Sequence, residues 1–381
     1  MSSLISKFHS LYSSSPRAFS APGRINLIGE HTDYNDGFVM PGAIDKSIDF
    51  ALGLNDEMSY RFYSLDYDEF FETKKIEKDA NHPHWAKYLI GVLAQFENEG
   101  IELKGVDCVF GGDIPVGAGL SSSAAIECGL AYGLNELFKS NLAKYQLVKM
   151  AQKAEHEYAG VMCGIMDQFA SMFGKQDHVF RLDCRSHEYE YFPLKMDDHI
   201  IALCDTQVKH ALASSEYNQR RIECETGVEM LKEKYGDVKS LRDTCILMLR
   251  ENESMFDPVV YKRCMYVVQE NGRVEEACTA LKRGDIARFG QLMYESHEGL
   301  QKEYEVSCKE LDGLVNISRS LEPVVGARMM GGGFGGCTIN LVKSSGIEVF
   351  KEEITSHYYK QFQKEPLIYL VKLENGTREL Y

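Results

Sequence analysis

Apolar and polar positions along this chain switch repeatedly between a helical period and a strand period. Leu4, Ile5, Phe8, Leu11 and Tyr12 recur three and four residues apart, which predicts a short helix with all five on one face. Ser47–Leu54 and Val106–Phe110 read as strands, and Gly37–Met40 as a short strand with Pro41-Gly42 as its breaker. Ala124–Phe138 and Lys144–Tyr158 carry the helical period, with Leu130, Leu134 and Leu137 on one side of the first. His178–Leu182 and Tyr189–Phe192 predict a hairpin, and His199–Asp205 a buried strand. Residues 214 to 288 are mostly helical and rich in Glu, Arg and Lys. A strand at Cys337–Val342, a helix near Ile347–Phe362 and a strand near Leu367–Leu373 follow. Helices and strands in this order predict an α+β protein with a domain boundary in the 180–205 region.

The pattern breaks at Ala21–Met40, APGRINLIGEHTDYNDGFVM. Arg24, Glu30, His31, Asp33 and Asp36 crowd there between two apolar runs, punctuated by Gly23, Gly29 and Gly37. A tight turn needs only Gly, Asn and Asp. A site for a small, hydroxyl-rich molecule needs more, because each buried hydroxyl left unpaired costs about 1–3 kcal/mol. A solvated surface loop is the competing account. Asp36 reads as part of an Asn35-Asp36-Gly37 turn that holds the other groups in place.

Composition narrows the class. The 381 residues suffice for two domains with substantial cores, and 44% apolar with 26% charged residues is ordinary for a globular chain. No apolar run approaches the roughly 20 residues that span a bilayer, and the first residues lack a signal-peptide core. Eleven cysteines, without a C-x-x-C pair, fit free thiols in the cytoplasm better than a disulfide scaffold or a zinc site. A net charge of −15 argues against nucleic-acid and anionic-membrane partners.

Three further segments carry candidate chemistry. In Gly112–Ala125, GDIPVGAGLSSSAA, Gly117 and Gly119 let the backbone approach a ligand. Ser121, Ser122 and Ser123 then bring hydroxyls and N–H groups to a helix N-terminus, where an anion is favoured. No lysine makes it a Walker A loop, and an N-cap accounts for one serine, not three. Gly326–Thr338 formally matches G-x-G-x-x-G at Gly331, Gly333 and Gly336, but a strand follows where a dinucleotide site needs a helix. Its glycines instead let the backbone pass beside another loop or a ligand. In Glu155–Gln168, EHEYAGVMCGIMDQ, Glu155 with Ser123 supplies the oxygen ligands that Mg²⁺ prefers, and Asp167 is placed to accept a hydroxyl proton. Taken singly, each of these carboxylates reads more readily as a solvated or capping residue, and only their company favours the site.

Pro22–Asp36 (PGRINLIGEHTDYND), Pro115–Ala125 (PVGAGLSSSAA), Cys163–Gln168 (CGIMDQ), Ser214–Tyr217 (SSEY) and Gly331–Cys337 (GGGFGGC) together resemble the galactokinases of the GHMP kinase superfamily. The resemblance spans more than three hundred residues in the family's order; the first segment belongs to the galactokinase branch. It implies a two-domain GHMP kinase fold. An N-terminal α/β domain (residues 1–195) would precede a C-terminal ferredoxin-like α+β domain (196–381), with the active site in the cleft between them. It also implies ATP-dependent phosphorylation of the C1 hydroxyl of α-D-galactose by a cytoplasmic monomer.

On this resemblance, Glu30, His31, Thr32, Asp33, Gly164 and Tyr217 would bind the sugar. Asp167 would be the catalytic base, with Arg24 beside it and the transferring phosphoryl group. Gly117, Ala118, Gly119, Leu120, Ser121, Ser122 and Ser123 would wrap the ATP phosphates. Ser123 and Glu155 would hold Mg²⁺, and Trp85 would lie near the adenine, although a buried core aromatic explains a lone tryptophan as well. Lys209, where the family pattern has arginine, and Asn218-Gln219, where Pro-Val is common, depart from the pattern beside the sugar site. An N-acetylgalactosamine kinase would need space beside the sugar C2. A non-catalytic galactose sensor would have lost residues after the serines, and Ser123-Ala124-Ala125 is intact.

Overall fold

The computed structural model describes residues 2–115, 117–194, 198–208 and 213–380. Its strands are β1 (Arg17–Asn26), β2 (Phe38–Val39), β3 (Pro41–Asn55), β4 (Tyr60–Ser64), β5 (Glu69–Thr73), β6 (Gly105–Gly112) and β7 (His178–Asp183). After them come β8 (Tyr189–Pro193), β9 (His199–Asp205), β10 (Val324–Met329), β11 (Cys337–Lys343), β12 (Leu367–Val371) and β13 (Arg378–Glu379). They make a six-stranded sheet in the order β13-β1-β3-β6-β4-β5, a four-stranded sheet β10-β11-β9-β12 and a three-stranded sheet β2-β7-β8.

Helices His84–Asn98, Ser122–Phe138, Lys144–Ala154 and Met166–Phe173 pack on one another and against the six-stranded sheet. Gly129 and Gly133, one turn apart, face that sheet. A Cβ on either would fall 2.1 Å from the Phe50 ring or 2.2 Å from Leu52 Cδ1, so their bare backbone lets the helix sit low. In the four-stranded sheet every pairing is antiparallel. The chain runs β9, helices, β10, β11, a helix (Ile347–Phe362) and β12, which is a ferredoxin-like β-α-β-β-α-β unit with a long helical insertion after its first strand. That helix and Lys309–Ser320 bury Leu314, Phe350, Ile354 and Tyr358 against Ala202, Cys204 and Val342.

Several sequence expectations shift. The Ala21–Met40 segment begins as strand, because β1 runs through Pro22-Gly23 to Asn26 by means of a register shift between Pro22 and Arg24. Pro41-Gly42 does not break the chain but opens β3, a position where a strand tolerates proline. The helix drawn over Lys144–Tyr158 is α-helical only to Ala154, and Glu155–Ala159 form a wider π turn. Leu11 lies 40% exposed, off the buried face that Leu4 and Phe8 share. The boundary drawn at 195/196 falls outside the described residues. The chain also crosses back: β13 pairs with β1 in the first sheet.

Candidate active site

The β1 bulge sets the floor of the site. A Cβ at Gly23 would meet the Leu120 carbonyl at 2.8 Å, and the adjacent Arg24 N–H donates to that carbonyl at 3.1 Å. The serine loop is thereby stitched to β1 through backbone alone, and Arg24 points into the cleft, 5% exposed. Its Nε and Nη2 donate to the two oxygens of Asp167 at 2.9 and 3.1 Å, and its Nη1 to the Gly119 carbonyl. Ser121 Oγ also donates to Asp167 Oδ2. That leaves Oδ1 with an open lone pair beside the cavity.

A cavity of about 270 Å³ lies above this pair, lined by Arg24, Glu30, His31, Asp33, Gly119, Ser121, Glu155, Cys163, Asp167, Tyr217 and Gly331 to Gly333. Glu30 accepts from the Gly331 N–H at 2.7 Å and forms an ion pair at 3.0 Å with Arg328, which is fully buried. Gly164 presses its backbone against Asp33: a Cβ there would fall 1.9 Å from Asp33 Oδ2. Tyr217 stacks its ring near His31 and Tyr34, with centroids 5.3 and 5.4 Å away.

Carboxylates outnumber cations in this space, and burial together with their mutual repulsion raises two of them. Burial and then the Asp167 charge push Asp33 up to about 7. Burial and then Asp167 likewise push Glu155 up to about 7, against hydrogen bonds from Cys163, Ser123 and Gln168. Burial, then Arg220 and Arg328, lower His31 to about 3, so its imidazole is neutral near pH 7.

The two glycine loops meet as their composition suggests. A Cβ on Gly331 would contact the Gly119 backbone at 3.5 Å, and one on Gly336 the Ala118 backbone at 3.8 Å. Ala118 and Leu120 bury their side chains in the core, so the Gly117–Ser123 loop can meet a ligand there only with backbone. Ser121 has φ +58 and makes no helix cap; its hydroxyl serves Asp167, while Ser123 donates to Glu155.

Two expected site residues lie elsewhere. Thr32 is fully buried, and its hydroxyl is taken by the Gly29 and Phe38 carbonyls at 2.9 and 2.6 Å, where it pins the loop and does not face the cavity. Trp85 is 5% exposed within the core; its indole N–H donates to Glu69 and its ring packs on Phe110 and Phe71. Asp36 has φ +58, as the turn requires, and pairs with Arg185 at 3.6 Å. Lys209 and Val116 lie outside the described residues.

Other groups went unnoticed in the sequence. Helix Pro258–Arg283 grips the loop between Gly29 and Phe38 by the loop's backbone. Glu270 accepts the Gly29 N–H at 2.8 Å, Asn271 accepts the Phe38 N–H at 2.9 Å, and Tyr266 Oη donates to the Glu30 carbonyl at 3.1 Å. Gln168 Nε2 bridges Glu155 and the buried Glu127 at 2.6 and 3.1 Å. Of these, only Gln168 lies in a segment that the sequence singled out, at the end of CGIMDQ.

Among the described residues, no helix is long and apolar enough to cross a membrane, and no group of three or more His, Cys, Asp or Glu residues is arranged to hold a metal. Comparison with known proteins gives three family matches: "GHMP kinases N terminal domain" at residues 87–175, "Galactokinase galactose-binding signature" at 6–54 and "GHMP kinases C terminal" at 277–360. The chain is 43% identical over 360 residues to a galactokinase of Thermotoga maritima, covering 94% of this chain and 99% of that one. It is 40% identical over 368 residues to one from Clostridium beijerinckii, covering 95% and 94%. A crystal structure of Lactococcus lactis galactokinase complexed with galactose superposes with a TM-score of 0.96 at 33% identity, covering 100% of this chain and 99% of that one. A mevalonate kinase structure shares the fold at 19% identity, with a TM-score of 0.65 and coverage of 94% and 99%.

Proposed function

The chain belongs to the galactokinases of the GHMP kinase superfamily, and from that membership we propose how its own residues perform the reaction. The enzyme transfers the γ-phosphoryl group of ATP to the C1 hydroxyl of galactose. The observation that carries the assignment is the pair of buried Arg24 and half-buried Asp167, held by two hydrogen bonds at the cavity floor.

A sugar hydroxyl is a weak nucleophile, and Asp167 orients it and receives its proton on the open lone pair of Oδ1. Arg24 fixes the Asp167 carboxylate in place through two hydrogen bonds and offers positive charge to the phosphoryl oxygens. In a loose transition state this alignment matters more than early proton removal. Glu30, His31, Asp33, Tyr217 and the Gly164 backbone hold the other hydroxyls. The backbone of Gly117–Ser123 holds the phosphates at the start of helix Ser122–Phe138, where unsatisfied N–H groups favour an anion. Thr32 and Trp85 take no direct part.

The donor set also fits Mg²⁺. Glu155 and the Ser123 hydroxyl are in contact, both offer hard oxygens, and the Asp167 charge, which adds to burial in raising Glu155, is what a divalent cation relieves. Ser123 and Glu155 would hold the ion, which supplies charge neutralisation for the phosphates. We place the enzyme in the cytoplasm as a monomer, a compartment that suits its eleven free thiols.

A substrate panel of galactose, N-acetylgalactosamine, glucose and mevalonate with Mg-ATP tests the reading. Galactose is expected to be preferred by a wide margin in kcat/KM. Preference for N-acetylgalactosamine would move the specificity, and phosphate transfer to none of the four would overturn the enzyme assignment.

A further inference from the structure

His31 is the end of a hydrogen-bonded chain that leads away from the cleft into the helical insertion. Its Nδ1 lies 2.8 Å from Tyr34 Oη, which lies 2.7 Å from Tyr304 Oη, which lies 3.2 Å from Cys224 Sγ. Tyr304 and Cys224 are fully buried, and the Tyr304 ring packs on His31 with centroids 4.9 Å apart. The Asn35 side chain also bonds to Cys224, and it donates to the His31 carbonyl at 3.0 Å. His31 Nε2, at the other end of the ring, is buried and makes no hydrogen bond of ordinary geometry, although the Gly332 backbone lies close enough to favour a proton on the ring.

The direction of this chain follows from donor strength. A phenol O–H to an imidazole lone pair is a far better bond than an imidazole N–H to a phenol followed by an O–H to a thiol. The hydroxyl protons therefore run toward Nδ1, and the neutral ring must carry its own proton on Nε2.

We propose that Tyr34, Tyr304 and Cys224 are positioning residues that lock His31 as the Nε2–H tautomer, so that it meets galactose as a hydrogen-bond donor. This rests on His31 facing the sugar. Glu30 and Asp33 can only accept from hydroxyls when ionised, so a neutral donor is needed for the lone pairs of the same hydroxyls. Tyr34 and Tyr304 touch no substrate in this scheme; they act through His31.

The test combines kinetics with ¹⁵N NMR of the His31 ring in the whole enzyme. The wild-type ring is expected as Nε2–H, and Tyr34→Phe as a tautomer mixture. Tyr34→Phe is expected to raise the galactose KM roughly 3- to 10-fold, with kcat and the ATP KM held within about twofold. Tyr304→Phe should act in the same direction but more weakly, and the double variant should be no worse than Tyr34→Phe alone. A wild-type ring protonated on Nδ1 overturns the proposal even if neither variant folds. A folded Tyr34→Phe with unchanged galactose KM and ring shifts overturns it too. His31→Leu separates the two claims. If it leaves the galactose KM unchanged, the sugar contact fails and the proposal with it; if it raises the KM while Tyr34→Phe does not, only the relay fails.

Discussion

Replacing Gly164 with alanine probes Asp33 without touching a single polar atom. An ideal Cβ at Gly164 falls 1.9 Å from Asp33 Oδ2, 2.2 Å from its Cγ and 2.7 Å from its Cβ. Carbon contacts settle near 3.5–4.0 Å, so the carboxylate must retreat by roughly 1.5–2 Å. Gly164 is not among the residues with positive φ, and alanine can adopt its backbone. The strain therefore falls on Asp33, whose carboxylate borders the cavity and can swing, while its Cβ needs a small shift of the backbone. The fold should survive at a cost of about 1–3 kcal/mol. Displacing a sugar-holding group by more than 1 Å costs on the order of 10²-fold. The expected result is a fall of about 10²-fold in kcat/KM for galactose, with an ATP KM close to wild type. Coupled ADP release, with each substrate varied in turn, measures both, and a thermal melt confirms folding. Adding Gly164→Ala to Asp33→Gly should cost little more, because all three contacts are gone. A folded Gly164→Ala enzyme with wild-type galactose kinetics would refute both the packing argument and the role of Asp33.

Four other outcomes are expected. Asp167→Asn should cut kcat by at least about 10²–10⁴-fold while calorimetry still detects galactose binding; normal turnover would remove Asp167 as the base. Because burial raises Asp33 to about 7 and the carboxylate is the form that accepts sugar hydroxyls, galactose affinity should fall as pH drops through about 7, and a flat profile there counts against that role. The linked stability has the opposite sign: without sugar, folded Asp33 holds a proton that the unfolded chain has lost, so chemical denaturation should show stability decreasing as pH rises through this range. Arg328→Met strands the buried Glu30 charge and should destabilise by about 3–5 kcal/mol in urea, with Glu30→Gln restoring part of it; an unchanged midpoint would mean the pair carries no weight. Glu155→Gln should raise the Mg²⁺ concentration needed for half-maximal rate at fixed ATP, and an unaltered Mg²⁺ titration would remove Glu155 from the metal site.

Local pattern was legible as a helical period with one buried face or as a short unbroken apolar run. The strand His199–Asp205 and the helix Ile347–Phe362 appear with the bounds read from the sequence. β1 was not legible, because it is buried along nearly its whole length and so does not alternate, and because Pro22-Gly23 imitates a turn while forming a bulge. β10 was hidden for a related reason: Gly326 and Arg328 interrupt its apolar run, and Arg328 is buried only because Glu30 faces it. The charged members of the site announced themselves by their density. Their supports did not, since Glu270 and Gly29 lie 241 residues apart and nothing local links them. Thr32 and Trp85 show the limit from the other side: motif position suggested ligand contact, whereas backbone carbonyls and core packing had already claimed them.

The pairing of β13 with β1 gives the molecule an order of assembly. The outer edge of β1 is closed by Arg378 and Glu379, and the Arg17 guanidinium meets a carboxylate 362 residues further along the chain. On the ribosome Arg17 of β1 is made 362 residues ahead of Glu379 in its partner. At about 5–20 residues per second, the interval is on the order of 20–70 s. Throughout it the nascent sheet presents an open row of N–H and C=O groups, a template for pairing with a neighbouring chain on the same message. The strand that carries Arg24 to the reaction is thus also the one that waits longest for protection.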